Sequence, residues 1–254
     1  MPEGDLRALA ASLRSGVLAL GNSCYIIKQV GGVNAGEVQA CLDRLAAEGL
    51  NAKQAALFVD AIADGRKCHV DPARILELVL SGPEVAGIPT SDTGAVLHAM
   101  FTRAERQVLL AGYAVYQGHR VFEYLARRMH DNPLLQVKLC LDIRRPWEDN
   151  TPSDLIVKRF YNEFIAKHWP WERQPELYYD PRSLDTNPEK RSSMHAKCVI
   201  VDEAEVFVTS ANFTEAAQER NIEAGVLLRH PPLAHRLSSY FEQLIATQQL
   251  RSCG

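Results

Sequence analysis

The spacing of apolar residues changes once along this 254-residue chain, near residue 90, and the change divides it. Before that point apolar positions recur three and four apart, the period of helices with one buried face. The first such segment covers residues 5–17. The second opens at Asn34-Ala-Gly-Glu37, a capping side chain followed three residues on by Glu, and runs to Ala47 before Gly49. Asn51 is placed to cap a third helix through Ala63, closed by Gly65. A fourth is predicted over 72–80, ended by Ser81-Gly82-Pro83. Together they predict an all-helical N-terminal domain over residues 1–90. Short helices with tight turns fit either a helix-turn-helix unit or a small bundle, and the acidic balance of this stretch favours the bundle.

Beyond residue 90 short apolar runs alternate with helical patterns. Helices are predicted at 92–104, 119–130, 153–168 and 233–248. Strands are predicted at 108–113, 137–143, 176–179, 196–201, 206–209 and 224–228. This alternation predicts an α/β domain over residues 91–254, a mixed sheet flanked by helices. The continuous apolar strands imply cover on both faces. Residues 144–150 and 169–187 read as loops and bring Trp147, Trp169 and Trp171 to strand ends, where sites are built.

Composition narrows the picture. Hydrophobic residues make up 46% and charged residues 23%, as in ordinary globular domains. No apolar run reaches the roughly 18 residues of a membrane span, so no membrane partner is expected. The N-terminus carries Glu3 and Asp5 where a secretion signal carries positive charge, which predicts mature structure in a cytoplasmic protein. The six cysteines form no CxxC pair, and Cys140 and Cys198 lie in apolar strands, as free thiols in a reducing compartment do. Only Cys68 and His69 are neighbours, too few for a zinc site, and no metal or other cofactor is expected. The net charge is −3. Residues 1–94 hold 8 basic and 11 acidic side chains and the rest hold 20 of each, so a phosphate site must be a local arrangement.

One stretch provides such an arrangement: Ser193-Met-His195-Ala-Lys197-Cys-Val-Ile-Val-Asp202, followed by Thr209-Ser210-Ala-Asn212. His195 and Lys197 are two apart, so on a strand both leave one face. A turn near residues 203–205 would return the chain as a hairpin and bring Ser210 and Asn212 back beside them. An imidazole can attack phosphorus and split one hard displacement into two. Lys197 offers charge to the non-bridging oxygens, and Ser210 and Asn212 offer directed neutral donors where charge develops. Glu223, in Asn221-Ile-Glu223, is the candidate to hold the second nitrogen of His195, with Asn221 bracing it.

This run resembles the HxK(x4)D(x6)GSxN motif of the phospholipase D superfamily. Histidine, lysine, aspartate, serine and asparagine match in type and spacing, and the later Asn-x-Glu looks like that family's orienting glutamate. The departure is Thr209 where the family has glycine, a side chain that threatens to narrow substrate approach. By the same resemblance Asp202 is structural rather than chemical. The likeness covers residues 92–250 and implies a phospholipase D-like sandwich. Leu80-Ser-Gly-Pro83, Asp92-Thr93 and Leu110-Ala-Gly-Tyr113-Ala-Val-Tyr-Gln-Gly118 further resemble the phospholipase D-like component of the bacterial DISARM anti-phage system, which implies other defence proteins as partners.

The family pairs two such motifs, and one is present here. His119 lacks both a following lysine and a matching serine-asparagine strand. The resemblance therefore implies a homodimer in which two copies of His195, Lys197, Ser210, Asn212 and Glu223 meet across an isologous interface of roughly 1,200 Å² or more. Arg144, Arg145 and Arg191 would bind a DNA or RNA backbone and Trp147 a base, if their loops line the cleft. The remaining histidines, His98, His130, His168, His230 and His235, read as surface or packing residues. The leading function is a metal-independent nuclease. The rivals are a phospholipid hydrolase or transferase, which needs an apolar membrane-facing surface not evident in the chain, and a non-catalytic nucleic-acid-binding component.

Overall fold

A computed structural model describes residues 3–21, 35–67, 75–83 and 91–254, the side chains of residues 66, 67, 218 and 219 aside. The predicted start at Asn34 and the pair Cys68-His69, like Cys24, lie outside the described residues. The chain forms two compact units, Met1–Asp71 and Pro72–Gly254.

The first unit contains helices α1 (Glu3–Ser15), α2 (Ala35–Ala47) and α3 (Ala52–Lys67). Leu6, Leu9 and Leu13 of α1, Leu42 of α2 and Val59 of α3 share one apolar cluster. Arg7 pairs with Asp60 at 3.2 Å and also with Asp64. Asn51 starts α3 as predicted: its Oδ1 accepts the Gln54 N–H at 3.1 Å while Gln54 Oε1 accepts the Asn51 N–H at 2.9 Å.

The predicted fourth helix is instead a strand. Residues Leu76–Ser81 form β1, which pairs antiparallel with a late strand through Leu78↔Val226 and Ser81↔Glu223. A distant partner strand overrides the local propensity of its leucines. The stretch assigned to a helical domain over 1–90 therefore contributes a sheet strand to the second unit.

That unit continues with α4 (Thr93–Arg103), β2 (Gln107–Gly112), β3 (Val115–Tyr116), α5 (Gly118–Val121), α6 (Glu123–Asp131), β4 (Gln136–Leu141), α7 (Ser153–His168) and β5 (Glu176–Tyr179). Then follow β6 (Cys198–Val201), β7 (Glu205–Thr209), β8 (Phe213–Thr214), α8 (Glu215–Glu219), β9 (Glu223–Leu228), α9 (Pro231–Ala246) and β10 (Arg251–Ser252). Eight strands form one mixed sheet in the order β1-β9-β7-β6-β2-β4-β5-β10, and β3 pairs with β8 separately.

Both faces of the sheet are covered. Leu110, Leu139, Val199 and Phe207 pack with Phe101 of α4, Leu125 of α6 and Phe164 of α7. Leu109, Cys140, Ile200 and Val206, pointing the other way, pack with Ala234 and Phe241 of α9. Adjacent strand residues thus serve opposite cores, which explains the uninterrupted apolar runs.

The topology determines where chemistry collects. β2 and β4 run parallel, while β6 lies antiparallel to β2, β7 to β6 and β9 to β7. The C-terminal ends of β2, β4 and β7 therefore share one edge with the starts of β6 and β9. Residues 112–113, 142–144, 195–197, 209–212 and 223 all lie along that edge.

Candidate active site

His195 and Lys197 immediately precede β6 rather than lying within it, and His195 is exposed. The Lys197 Nζ stands 3.4 Å from His195 Nε2 and donates to the His195 carbonyl at 3.1 Å. The Tyr113 ring meets the imidazole edge-on, with centroids 4.7 Å apart. The Lys197 ammonium lies 5.2 Å from the Tyr113 centroid, and the Arg144 guanidinium 4.2 Å from it. Two cations thus flank one aromatic ring that also borders the histidine, an arrangement that holds positive charge beside the ring while leaving the His195 face open.

The β6–β7 hairpin turns as the motif requires. Asp202 and Glu203 both adopt positive φ, 53° and 55°, and the Ala204 N–H donates to the Val201 carbonyl at 2.9 Å. The Asp202 carboxylate accepts three backbone N–H groups, from Glu105 at 2.8 Å, Arg106 at 2.7 Å and Gln107 at 2.9 Å. It ties the hairpin turn to the start of β2, so the motif aspartate has an architectural task far from His195.

At the other end of β7, Thr209 is buried and its Oγ1 accepts the Ala211 N–H at 3.0 Å. The hydroxyl is committed to the turn that leads to Asn212. Asn212 lines the cleft that Tyr113 and Arg144 also line, and its buried Oδ1 has no hydrogen-bond partner among the described residues. Gly112 secures its neighbour: a Cβ there would meet the Phe213 ring at 2.7 Å, so only glycine lets Phe213 seat against β2.

Ser210 and Glu223 come together, but not on His195. The Ser210 hydroxyl donates to Glu223 Oε2 at 2.5 Å and accepts the Ala224 N–H at 3.1 Å. Asn221 donates to Glu223 Oε1 at 3.3 Å. Because β7 pairs with β9 in the register Thr209↔Gly225, Glu223 falls beside Ser210. Within one protomer Glu223 therefore meets Ser210 and Asn221 rather than His195.

The four side chains expected to touch substrate separate. Arg144 lines the cleft, with its Nε donating to Asp142 at 3.1 Å. Arg145 is 5% exposed and donates to the carbonyls of Leu184, Asp149 and Thr151 and to Ser153 Oγ. It organises the loop from within and has no surface to offer a polynucleotide. Arg191 is half-buried and donates to the carbonyls of Asp185 at 2.8 Å and Arg145 at 3.0 Å, again holding a loop. Trp147 is 74% exposed and is not among the residues lining the cleft.

Three residues at the site escaped the sequence reading. Tyr113 borders the histidine. Asp142, just beyond β4, accepts the Met194 N–H at 2.8 Å and the Ser193 hydroxyl at 3.2 Å, fixing the segment that leads into His195. Burial pushes the Asp142 carboxyl above the ordinary carboxylate range, against the lowering effect of those donors. His168 lines the cleft, accepts the Gly118 N–H at 3.3 Å, and has its pKa lowered by burial. The usable signal was position: Tyr113 and Asp142 directly follow parallel strands, where α/β sites gather. Among the described residues no group of three His, Cys, Asp or Glu side chains could hold a metal ion, and no helix is long and apolar enough to cross a membrane.

Residues 97–245 match the family described as "Cardiolipin synthase, PLD-like domain". The chain is 25% identical over 178 residues to the DISARM protein DrmC of Bacillus paralicheniformis (strain ATCC 9945a / NCIMB 11709 / CD-2), covering 67% of each chain. Among solved structures it is similar to Nuc from Salmonella typhimurium, a phospholipase D family member, with a TM-score of 0.44, 18% identity and coverage of 70% of this chain and 96% of that one. NucT from Helicobacter pylori gives a TM-score of 0.44, 16% identity and coverage of 62% and 88%. Phosphatidylserine synthase from Haemophilus influenzae Rd KW20 gives 0.45, 14%, and coverage of 70% and 39%.

Proposed function

The chain belongs to the family of cardiolipin synthase, PLD-like domains, and from that premise we propose that it is a metal-independent nuclease acting through a phosphohistidine at His195. The observation that carries this reading is the pairing of an exposed imidazole with the Lys197 ammonium 3.4 Å away, beside the cleft that Asn212 lines, where an amide N–H can donate to a phosphate oxygen. In the first step a lone pair of His195 forms the P–N bond as the P–O bond to the leaving group breaks. Lys197 and Asn212 offset the charge on the non-bridging oxygens. The departing oxygen needs a proton, which His195 of the partner subunit supplies; the same ring then deprotonates the water that breaks the P–N bond. Ser210 and Glu223 act as a pair that holds the end of β7 against β9.

The dimer supplies the second imidazole, and the relation to DrmC supports a place in anti-phage defence with other defence proteins as partners. The test compares wild type with His195→Ala on single-stranded DNA, duplex DNA, RNA and phospholipid vesicles, with and without chelator. Cleavage of nucleic acid that survives chelation and vanishes in His195→Ala supports the reading. Activity abolished by chelator contradicts the metal-free chemistry, and turnover of vesicles alone contradicts the nuclease. Mixing equal amounts of wild type and His195→Ala after subunit exchange leaves roughly a quarter of dimers with both imidazoles. Activity should fall to that fraction, whereas about half would mean that each subunit works alone.

A further inference from the structure

We propose that the cleft beside His195 is a nucleobase subsite, which seats one unpaired base next to the scissile phosphate of a single-stranded polynucleotide. This rests on the nuclease reading and adds the form of substrate.

The cleft has a volume of about 520 Å³, within the range of small-ligand sites. It adjoins the phosphate position directly, because Tyr113 is both its wall and the edge-on neighbour of the His195 ring. Its outer rim is Tyr116, 65% exposed, on the short strand β3. β3 pairs with β8 through Tyr116↔Thr214, so this ring is tied to the chain two residues beyond Asn212. A base stacked on Tyr116 and a phosphate at Asn212 would therefore rest on one rigid unit.

The rest of the lining is chemically mixed. Phe160 of α7 and Val115 of β3, both half-buried, supply apolar surface. Glu163, kept ionised by its hydrogen bond from Lys167, supplies acceptor oxygens. Arg144 supplies donors. The His168 Nδ1 already accepts from Gly118, so the neutral ring carries its proton on Nε2 and donates from there. An acyl chain would offer no polar partner to Glu163, Arg144 or His168. A nucleobase presents one apolar π-face and an edge with both donors and acceptors, which is what this lining complements. In a duplex both faces are stacked and the pairing edge is occupied, so only an unpaired base can enter.

The experiment is a two-by-two cycle on short single-stranded DNA and RNA of defined cleavage position. Wild type and Tyr116→Ala are each tested against an oligonucleotide with every base present and one with an abasic residue flanking the scissile linkage. Removing the stacking partner or the base should each raise KM by about 5- to 150-fold, the equivalent of ~1–3 kcal/mol per stacked base. The two losses should not add, since both delete one contact. Tyr116→Trp should restore the intact oligonucleotide, and His195→Ala protein should bind the intact strand more tightly than the abasic one in fluorescence anisotropy. Additive losses, or abasic and intact strands bound and cleaved alike, would overturn the subsite while leaving the nuclease standing. Absence of any polynucleotide cleavage by wild type, with turnover of phospholipid vesicles, would overturn both.

Discussion

The substitution Asp202→Ala removes one carboxylate and deprives three backbone donors, those of Glu105, Arg106 and Gln107, of their acceptor. A hydrogen bond to a charged group contributes about 1.5–3 kcal/mol when shielded and less where water can replace it. The Gln107 donor is half-buried and the other two are exposed, so a fair total is about 2–4 kcal/mol. Asp202 also sits at φ 53°, which alanine resists at a cost of about 1–2 kcal/mol. For a chain of this size each kcal/mol moves Tm by roughly 2–4 °C, so Asp202→Ala should lower it by about 6–24 °C. Asp202→Asn isolates the carboxylate, since asparagine tolerates positive φ and keeps one acceptor oxygen; it should cost about 1–2 kcal/mol. Thermal melts by circular dichroism and cleavage rates measured well below each Tm separate stability from chemistry. The reasoning is refuted if Asp202→Asn melts like wild type yet cleaves roughly 100-fold more slowly, because the aspartate would then act on the reaction.

Three further outcomes follow from the same geometry. Gly112→Ala should cost about 1–3 kcal/mol through its clash with Phe213 and should slow cleavage, because Asn212 moves with its neighbour; a melt unchanged from wild type would contradict this. Arg145→Ala should destabilise by about 2–4 kcal/mol by leaving buried carbonyls unpaired, and Arg145→Lys should not rescue it, while oligonucleotide KM measured on folded protein stays near wild type. For Asp142, a pKa raised in the folded state means that its contribution to stability is complete below the ordinary carboxylate range and is lost as pH rises through the raised value. Asp142→Asn removes that titration, so denaturant melts should show the variant gaining on wild type from about pH 4 upward; a pH-independent difference would contradict the assignment.

Much of the site was legible because its residues lie in one hairpin. Gaps of one, four and six residues between His195, Lys197, Asp202 and Thr209 specify two antiparallel strands and their turn, which is local information. What escaped depends on strand order. Tyr113 and Asp142 reach His195 only because β2 sits between β6 and β4. The segment 76–81 becomes a strand only because β9 is available beside it. Arg144 and Arg145 look alike in sequence, but adjacent residues of an extended chain point opposite ways, so one faces the cleft and the other a cage of carbonyls. Glu223 meets Ser210 for a similar reason: the pairing of β7 with β9, invisible to spacing along the chain, brings the two together.

Trapping the covalent intermediate tests the central chemistry most directly. Wild-type protein would be mixed with a phosphate-labelled oligonucleotide, quenched in alkali to preserve a phosphorus–nitrogen bond, digested and sequenced by mass spectrometry. A labelled adduct on His195 of the 193–197 segment is the predicted result. Robust cleavage with label on another side chain, or with inversion of configuration at phosphorus and no adduct, would contradict it.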